Sequence, residues 1–493
     1  MIEGLKPYAE YKESGLSWLD RIPVGWDEHR SKYLFREVDR RSTSGEEMRL
    51  SMSQRHGLIP SSKVAEKRLV SKTNIGAKIC EPGDLVLNRL KAHLGVFALA
   101  PRKGIVSPDY TVLRVIGSVN GLYFCTVYRS PYCGQELRRT AKGIVEGFWR
   151  LYTDQFYDIR VPVPPPHDQA AIVRFLDHAN RKIDGFIRAK GKMIGLLNEQ
   201  KQAIIHRAVT RGLNPDVPLE PSRIPWLGDI PMHWEVRRAK YLFHEVDDRS
   251  NKGKETHLAM SQRLGLVPSS MVDSAMRSES YAGAKLCQEG DLVLNRLKAH
   301  LGVFALAKQG GVISPDCSVF RKRAAISMEY YESVLKSSAC RRELRIRAKG
   351  LVEGFWRLYT DDFYDIRLPV PPLDEQREIM SAMTVETAAL TTAITRTERE
   401  IALMQEYRTR LTADIVTGKL DVREAAAQLP DPPADSTDDV ALDDTDSSID
   451  PEVAEEEAEL HSRPGILKST TSPTSTIYRR LSKRVASGQI EGD

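Results

Sequence analysis

Between residues 168 and 207, apolar side chains fall at Ile172, Leu176, Ala179, Ile183, Phe186, Met193, Leu197 and Ile204. That three-four spacing predicts one long amphipathic helix. A second stripe, Ile379, Met383, Leu390, Ile394, Ile401, Met404, Leu411 and Ile415, keeps the same register behind Asp374-Glu375, acidic residues suited to a first helical turn. Neither helix is apolar all round, so each needs a partner for its stripe, and the other helix is the nearest candidate. Elsewhere the apolar runs are short and bounded by Gly and Pro, as at Asp84-Leu-Val-Leu87 and Gly95-Val-Phe-Ala-Leu99. These predict strands joined by turns, an α+β outline. Proline runs at 161–166 and 368–372 predict extended exits from the strand-rich regions into the helices.

The pattern is written twice. Gly83 to Ala100 recurs without a change as Gly290 to Ala307. Around this block Trp18 aligns with Trp226, Ser53-Gln54-Arg55 with Ser261-Gln262-Arg263, and Gly147-Phe148-Trp149-Arg150 with Gly354-Phe355-Trp356-Arg357. Residues 142–165 match 349–372 at 21 of 24 positions, whereas 172–207 match 379–414 at only five of 36. The strand-rich domains are near copies and the helices have diverged. Distinct surfaces would favour pairing of unlike helices, although recombination that copied only the globular cassette would leave the same contrast.

Charge changes the picture more than composition does. Residues 431–460 hold thirteen Asp or Glu and no Lys or Arg; the body, 1–430, carries 66 Lys and Arg against 52 Asp and Glu, a net +14. A body this basic favours a polyanionic partner. The tail, poor in aromatics, is expected to be disordered. Six cysteines without a CxxC pair are expected to be buried and reduced. No run approaches the roughly 18 apolar residues of a membrane span, and Met1-Ile2-Glu3-Gly4 lacks a signal-peptide pattern. A cytoplasmic protein with no membrane partner is expected.

The chain holds no GxxxxGK[ST] phosphate loop, GxGxxG fingerprint, HExxH pair or Asn/Asp-Pro-Pro-Tyr/Phe motif. Pro108-Asp109 with Glu136-Leu137-Arg138, and Pro315-Asp316 with Glu343-Leu344-Arg345, superficially suggest a nuclease cluster. Arg stands where a water-activating lysine would be needed, so Ser-Pro-Asp reads as a turn. What remains is a recognition surface. Asn88, Arg89, Lys91 and His93, with mates Asn295, Arg296, Lys298 and His300, carry side chains that address adenine and guanine edges. Ser53, Gln54 and Arg55, with Ser261, Gln262 and Arg263, offer the same chemistry. Lys142, Arg150 and Tyr152, with Lys349, Arg357 and Tyr359, suit phosphate contact or stacking, while Phe148 and Trp149 read as core. No catalytic residue and no metal ligand is assigned.

The order of motifs resembles the specificity subunit of type I restriction-modification enzymes over roughly residues 8–422. The entry Ser14-Gly15-Leu16-Ser17-Trp18-Leu19 with Ile22-Pro23-Val24-Gly25-Trp26 has its mate in Ile224-Pro225-Trp226-Leu227-Gly228 with Ile230-Pro231-Met232-His233-Trp234. The exits Pro164-Pro165-Pro166-His167-Asp168-Gln169 and Pro371-Pro372-Leu373-Asp374-Glu375-Gln376, and the ending Ile415-Val416-Thr417-Gly418-Lys419-Leu420, match too. The first exit departs at His167-Asp168-Gln169 from the usual form, in which the acidic residue before Gln is often Glu. The resemblance implies two target recognition domains, 1–166 and 214–372. Two long antiparallel helices in a coiled-coil-like pair, 167–213 and 373–422, would separate them, and 423–493 would be a disordered tail. It implies a non-catalytic subunit that binds double-stranded DNA and scaffolds two methyltransferase subunits and restriction subunits. This chain would bind no cofactor; S-adenosylmethionine, ATP and Mg2+ would act in the partners.

A helix of about 40 residues is roughly 60 Å long, enough to hold two readers at least one duplex turn of about 34–36 Å apart. An antiparallel pair would relate the readers by an approximate twofold, so the target should be an interrupted inverted repeat, or nearly so. His56 against Leu264, Lys63 against Met271, Arg102-Lys103 against Gln309-Gly310 and Tyr110 against Cys317 are differences that could make the halves unlike. The alternatives are a self-sufficient nuclease or methyltransferase with an unfamiliar centre, and a coiled-coil scaffold that binds protein only.

Overall fold

The computed structural model describes residues 5–53, 56–63, 74–142, 149–261, 264–272, 281–350 and 356–430. Gln54, Arg55, Phe148, Gln262, Arg263, the side chain of His300 and the tail from 431 lie outside the described residues. The described residues form two compact units, one of residues 8–170 with 423–430, the other of residues 5–7 and 171–422. The second unit therefore takes nearly all of both long helices.

In the first unit a four-stranded antiparallel sheet runs in the order Phe35–Glu37, Tyr110–Val115, Leu85–Asn88, Phe97–Leu99. Leu85–Asn88 is buried at every position, as a continuous Leu-Val-Leu run requires of a strand covered on both faces. One face carries Leu50, Met52, Leu58, Cys80, Val86, Ala98 and Val112. An aromatic cluster packs Phe35 edge-on to Phe124 and stacks Phe97 on Tyr128 at 5.3 Å. Helices α1 (Gly121–Tyr128) and α2 (Pro131–Thr140) are capped by Asn120 and Ser130, and α3 (Thr153–Asp158) follows. The predicted strands are thus present, shifted by one or two residues. All six cysteines are buried and free, and burial pushes Cys80 and Cys287 up to about 11.

The second unit repeats this order in the sheet Phe243–Val246, Cys317–Lys322, Leu292–Asn295, Phe304–Leu306. Helix α4 runs from Pro166 to Arg211. Pro166 opens it because a first-turn proline loses no hydrogen bond, so the extended exit ends one residue earlier than the 167 boundary. After α5 (Met328–Lys336), α6 (Ser338–Arg347) and α7 (Thr360–Tyr364) comes α8, Leu373–Val416.

Helices α4 and α8 run antiparallel. Arg408 pairs with Asp184, Lys190 with Glu400 at 2.7 Å, Lys201 donates to Thr391 at 2.9 Å, and Arg207 faces Glu386 at 3.9 Å. One number rises as the other falls. The predicted stripes are most buried near the ends: Ile172, Leu176, Ala179 and Ile183 on α4, Ile379, Met383, Leu411 and Ile415 on α8. Met193 is 43% exposed, and Leu197, Ile204, Leu390, Ile394, Ile401 and Met404 are half-buried. In the second unit those helix ends join a larger core, where Ala208, Val209, Ile379 and Met383 pack among Trp234, Tyr330 and Leu368.

One boundary needs correction. Residues 423–427 form a short helix, α9 (Arg423–Ala427), with Ala426 buried and the Arg423 guanidinium 4.9 Å from the Tyr8 ring. An Ala-rich stretch with an aromatic ring to cover is helical here, so residues 423–427 are not part of the tail.

Candidate nucleic-acid interface

The identical block folds into a strand, a turn and a single 3-10 turn. Asn88 ends the strand and its Oδ1 accepts from the Leu90 amide at 3.1 Å; Asn295 accepts from Leu297 at 3.1 Å and Lys298 at 3.2 Å. Asn88 is 6% exposed, so its carbonyl is spent on shaping the turn. Gly95 and Gly302 close the turn at φ 72° and 76°, a conformation a side chain disfavours.

Arg89 braces the neighbouring Ser-Pro-Asp turn. Its Nε donates to the Asp109 carbonyl at 2.8 Å and its Nη2 to that of Pro108 at 3.0 Å. Arg296 repeats both bonds on Asp316 and Pro315, at 3.1 and 2.8 Å. Arg150 then reaches the Asp109 carboxylate at 3.5 Å, and Arg357 reaches Asp316 at 2.8 Å. Each aspartate sits between two guanidiniums, and the cluster keeps one net positive charge. Lys142 and Arg150 exchange backbone bonds at 3.1 and 2.9 Å, as do Lys349 and Arg357 at 2.9 and 2.8 Å. The backbone of Arg89 accepts from Leu151 at 2.9 Å, tying this bridge to the turn.

His93 packs edge-on to Trp149 at 5.3 Å, and Arg138 of α2 lies 5.8 Å from the same ring. Burial, then the charge of Arg138, holds the His93 imidazole below its ordinary value, so it is neutral near pH 7. Trp149, expected in the core, is half-buried at the rim. Arg138 and its mate Arg345, 5.8 Å from Trp356, join the cationic surface; their signal in the sequence was their recurrence in both copies. Lys142, Lys298 and Lys349 are exposed, Lys91 is half-buried, and Lys349 pairs with Asp362 at 2.7 Å. Tyr152 and Tyr359 are 46% and 48% exposed.

Ser53 and Ser261 stand apart from this turn, each ending the first strand of a hairpin: Leu50–Ser53 with Gly57–Pro60, and Leu258–Ser261 with Gly265–Pro268. Their hydroxyls accept from His56 N and Leu264 N at 3.2 Å. The hairpin lies beside the strand leaving the turn, since a Cβ on Gly57 would meet the Ala98 methyl at 3.3 Å and one on Gly265 the Ala305 methyl at 3.4 Å.

The carboxylates of the suspected nuclease cluster do not assemble. Asp109 is taken by arginines, while Glu136 bonds Arg139 and Ser17. Among the described residues no group of three or more His, Cys, Asp or Glu could hold a metal ion, and no described helix is long and apolar enough to cross a membrane.

No family model matches the chain. It is similar to two curated proteins of Methanocaldococcus jannaschii. The type I restriction enzyme MjaVIII specificity subunit is 22% identical over 283 residues, 54% of this chain and 64% of that protein. The putative type I restriction enzyme MjaX specificity subunit is 22% identical over 283 residues, 55% of this chain and 61% of that protein. The chain thus spans a little under two thirds of the relatives it matches. A solved structure concerned with complex assembly and conformational transition of the type I R-M system superposes with a TM-score of 0.54 at 15% identity, covering 81% of this chain and 99% of the other. The resemblance to type I specificity subunits is borne out by these relatives, and the fold by the superposition.

Proposed function

We propose that this chain is the DNA-recognition subunit of a type I restriction-modification complex. It reads an interrupted target whose halves are alike or nearly so, and it docks methyltransferase and restriction subunits. The observation that carries this reading is the doubled cationic turn: the same arginine pair braces the same Ser-Pro-Asp turn in both copies. A net +14 body supports a polyanionic partner. The names of the relatives support a specificity role over the alternative of a self-sufficient enzyme. On this reading methyl transfer from S-adenosylmethionine, and any ATP- and Mg2+-dependent step, belongs to the partners. The antiparallel run of α4 and α8 supports an inverted order of the two halves.

Co-expression with its methyltransferase subunit, followed by mapping of methylated adenines, tests this reading. The expected result is methylation at one interrupted sequence, absent when either chain is omitted. Methylation or cleavage by this chain alone would contradict it.

A further inference from the structure

The two hairpins beside the reading turns are not chemically alike, and the structure shows which of their differences face outward. Over residues 49–63 and 257–271 the copies differ at Arg49/His257, Ser51/Ala259, His56/Leu264, Ile59/Val267 and Lys63/Met271. The first is absorbed within each domain: Arg49 donates to Asn74 at 3.1 Å, whereas His257 stacks on Tyr281 at 4.2 Å. Ser51 bonds Ser61 at 2.7 Å, and Ile59 and Val267 are half-buried aliphatics. His56 and Lys63 are exposed; Leu264 and Met271 are 45% and 65% exposed. The other two differences noted in the sequence fall away. Cys317 is 3% exposed and Tyr110 packs against the core. Residues 101–103 lie beyond the end of Phe97–Leu99 away from the reading turn, with Lys103 4.0 Å from Glu81.

The described backbone at the hairpin tip is alike in both copies, with the same serine bond and glycines at φ 69° and 74°. There the chemistry changes from a hydrogen-bonding side chain, His56, to an apolar one, Leu264; Lys63 and Met271 lie beyond the other end of the hairpin. A lysine or histidine addresses the N7 and O6 acceptors of guanine in the major groove, whereas an apolar side chain contacts the methyl group of thymine.

We propose that the tips of these hairpins set a base at which the two half-sites differ. Through His56 the first domain selects guanine there; through Leu264 the second selects thymine. The proposal rests on the DNA-recognition reading above and sharpens it. An exposed leucine at a hairpin tip where the other copy carries a histidine has, in duplex DNA, a partner that accepts both versions.

The test is methylome mapping of the full complex carrying Leu264→His, and of the reciprocal His56→Leu. The first variant should change one base of the second half-site to the guanine of the first, with methylation of the original sequence falling roughly tenfold, the scale of one mismatched base. The reciprocal variant should change the first half towards thymine. An unchanged methylated sequence, or loss of all methylation without a new one in a complex that still assembles and melts as the parent does, overturns the proposal. A parent complex that methylates no DNA would instead remove the recognition reading on which it rests.

Discussion

Asp84 carries more of each domain than its single charge suggests. At 2% exposure it takes both Arg114 nitrogens at 2.9 Å and the Glu81 amide at 2.8 Å; Asp291 does the same with Arg321 and Gln288. Asp84→Ala leaves these donors without their acceptor and is expected to cost about 2 kcal/mol, read as a lower denaturation midpoint at unchanged slope. The sequence hides this role because Asp84 lies inside the identical block, where every residue recurs whatever its purpose. The same ambiguity affected Asn88 and Arg89, whose side chains suit base edges as well as turns. Distance separates the uses: the Asn88 carbonyl and the Arg89 guanidinium are engaged by neighbouring backbone. On the proposed DNA-recognition reading Arg150, held at 3.5 Å by one shared carboxylate, would make the better phosphate contact. Arg150→Ala is expected to weaken binding of all duplex sequences alike and to flatten the slope of log affinity against log salt by about 0.9, measurable by fluorescence anisotropy at several salt concentrations.

At the scale of elements, the helices begin on a buried glutamine strut. Gln169 accepts from the Asn120 amide at 2.8 Å and donates to the Pro164 carbonyl at 2.8 Å; Gln376 accepts from Ser327 and donates to Pro371 at the same distances. Beside each glutamine an acidic residue receives a tryptophan indole, Trp26 to Asp168 at 3.2 Å and Trp234 to Glu375 at 3.0 Å. The departure at His167-Asp168-Gln169 is therefore conservative, since the shorter acid still reaches its indole. Gln376→Ala abandons both bonds in a site 1% exposed, with an expected loss of about 2 kcal/mol. The periodicity predicted both helices well but overstated their middles, because an unburied Met193 keeps the same spacing as a buried Ile183. Towards the end of α4, burial and then the charges of Arg211 and Arg342 hold His206 below its ordinary value. The unfolded chain then binds more protons as pH falls, so this stability is full above the unfolded value near 6.5 and is lost on acidification towards the folded value. The melting temperature should fall between pH 7.5 and 5.5, and less steeply in His206→Gln; equal slopes would remove His206 as a cause.

At the scale of the whole molecule, duplication was the most legible property, because an exact repeat needs no physics to detect. The fold class followed from the change between short Gly- and Pro-bounded runs and helical spacing. The compact units were not legible: contacts join residues 5–7 and nearly all of both helices to the second domain's unit, and a linear repeat carries no record of that. The surfaces that distinguish one copy from the other emerged only once burial separated His56 and Leu264 from Tyr110 and Cys317. The central claim is that two nearly equivalent readers address one interrupted DNA target. Mapping methylated adenines in cells that express this chain with the methyltransferase subunit proposed as its partner tests it most directly. The account predicts a single interrupted site whose halves, read on opposite strands, match at nearly every base. Two unrelated half-sites would contradict it.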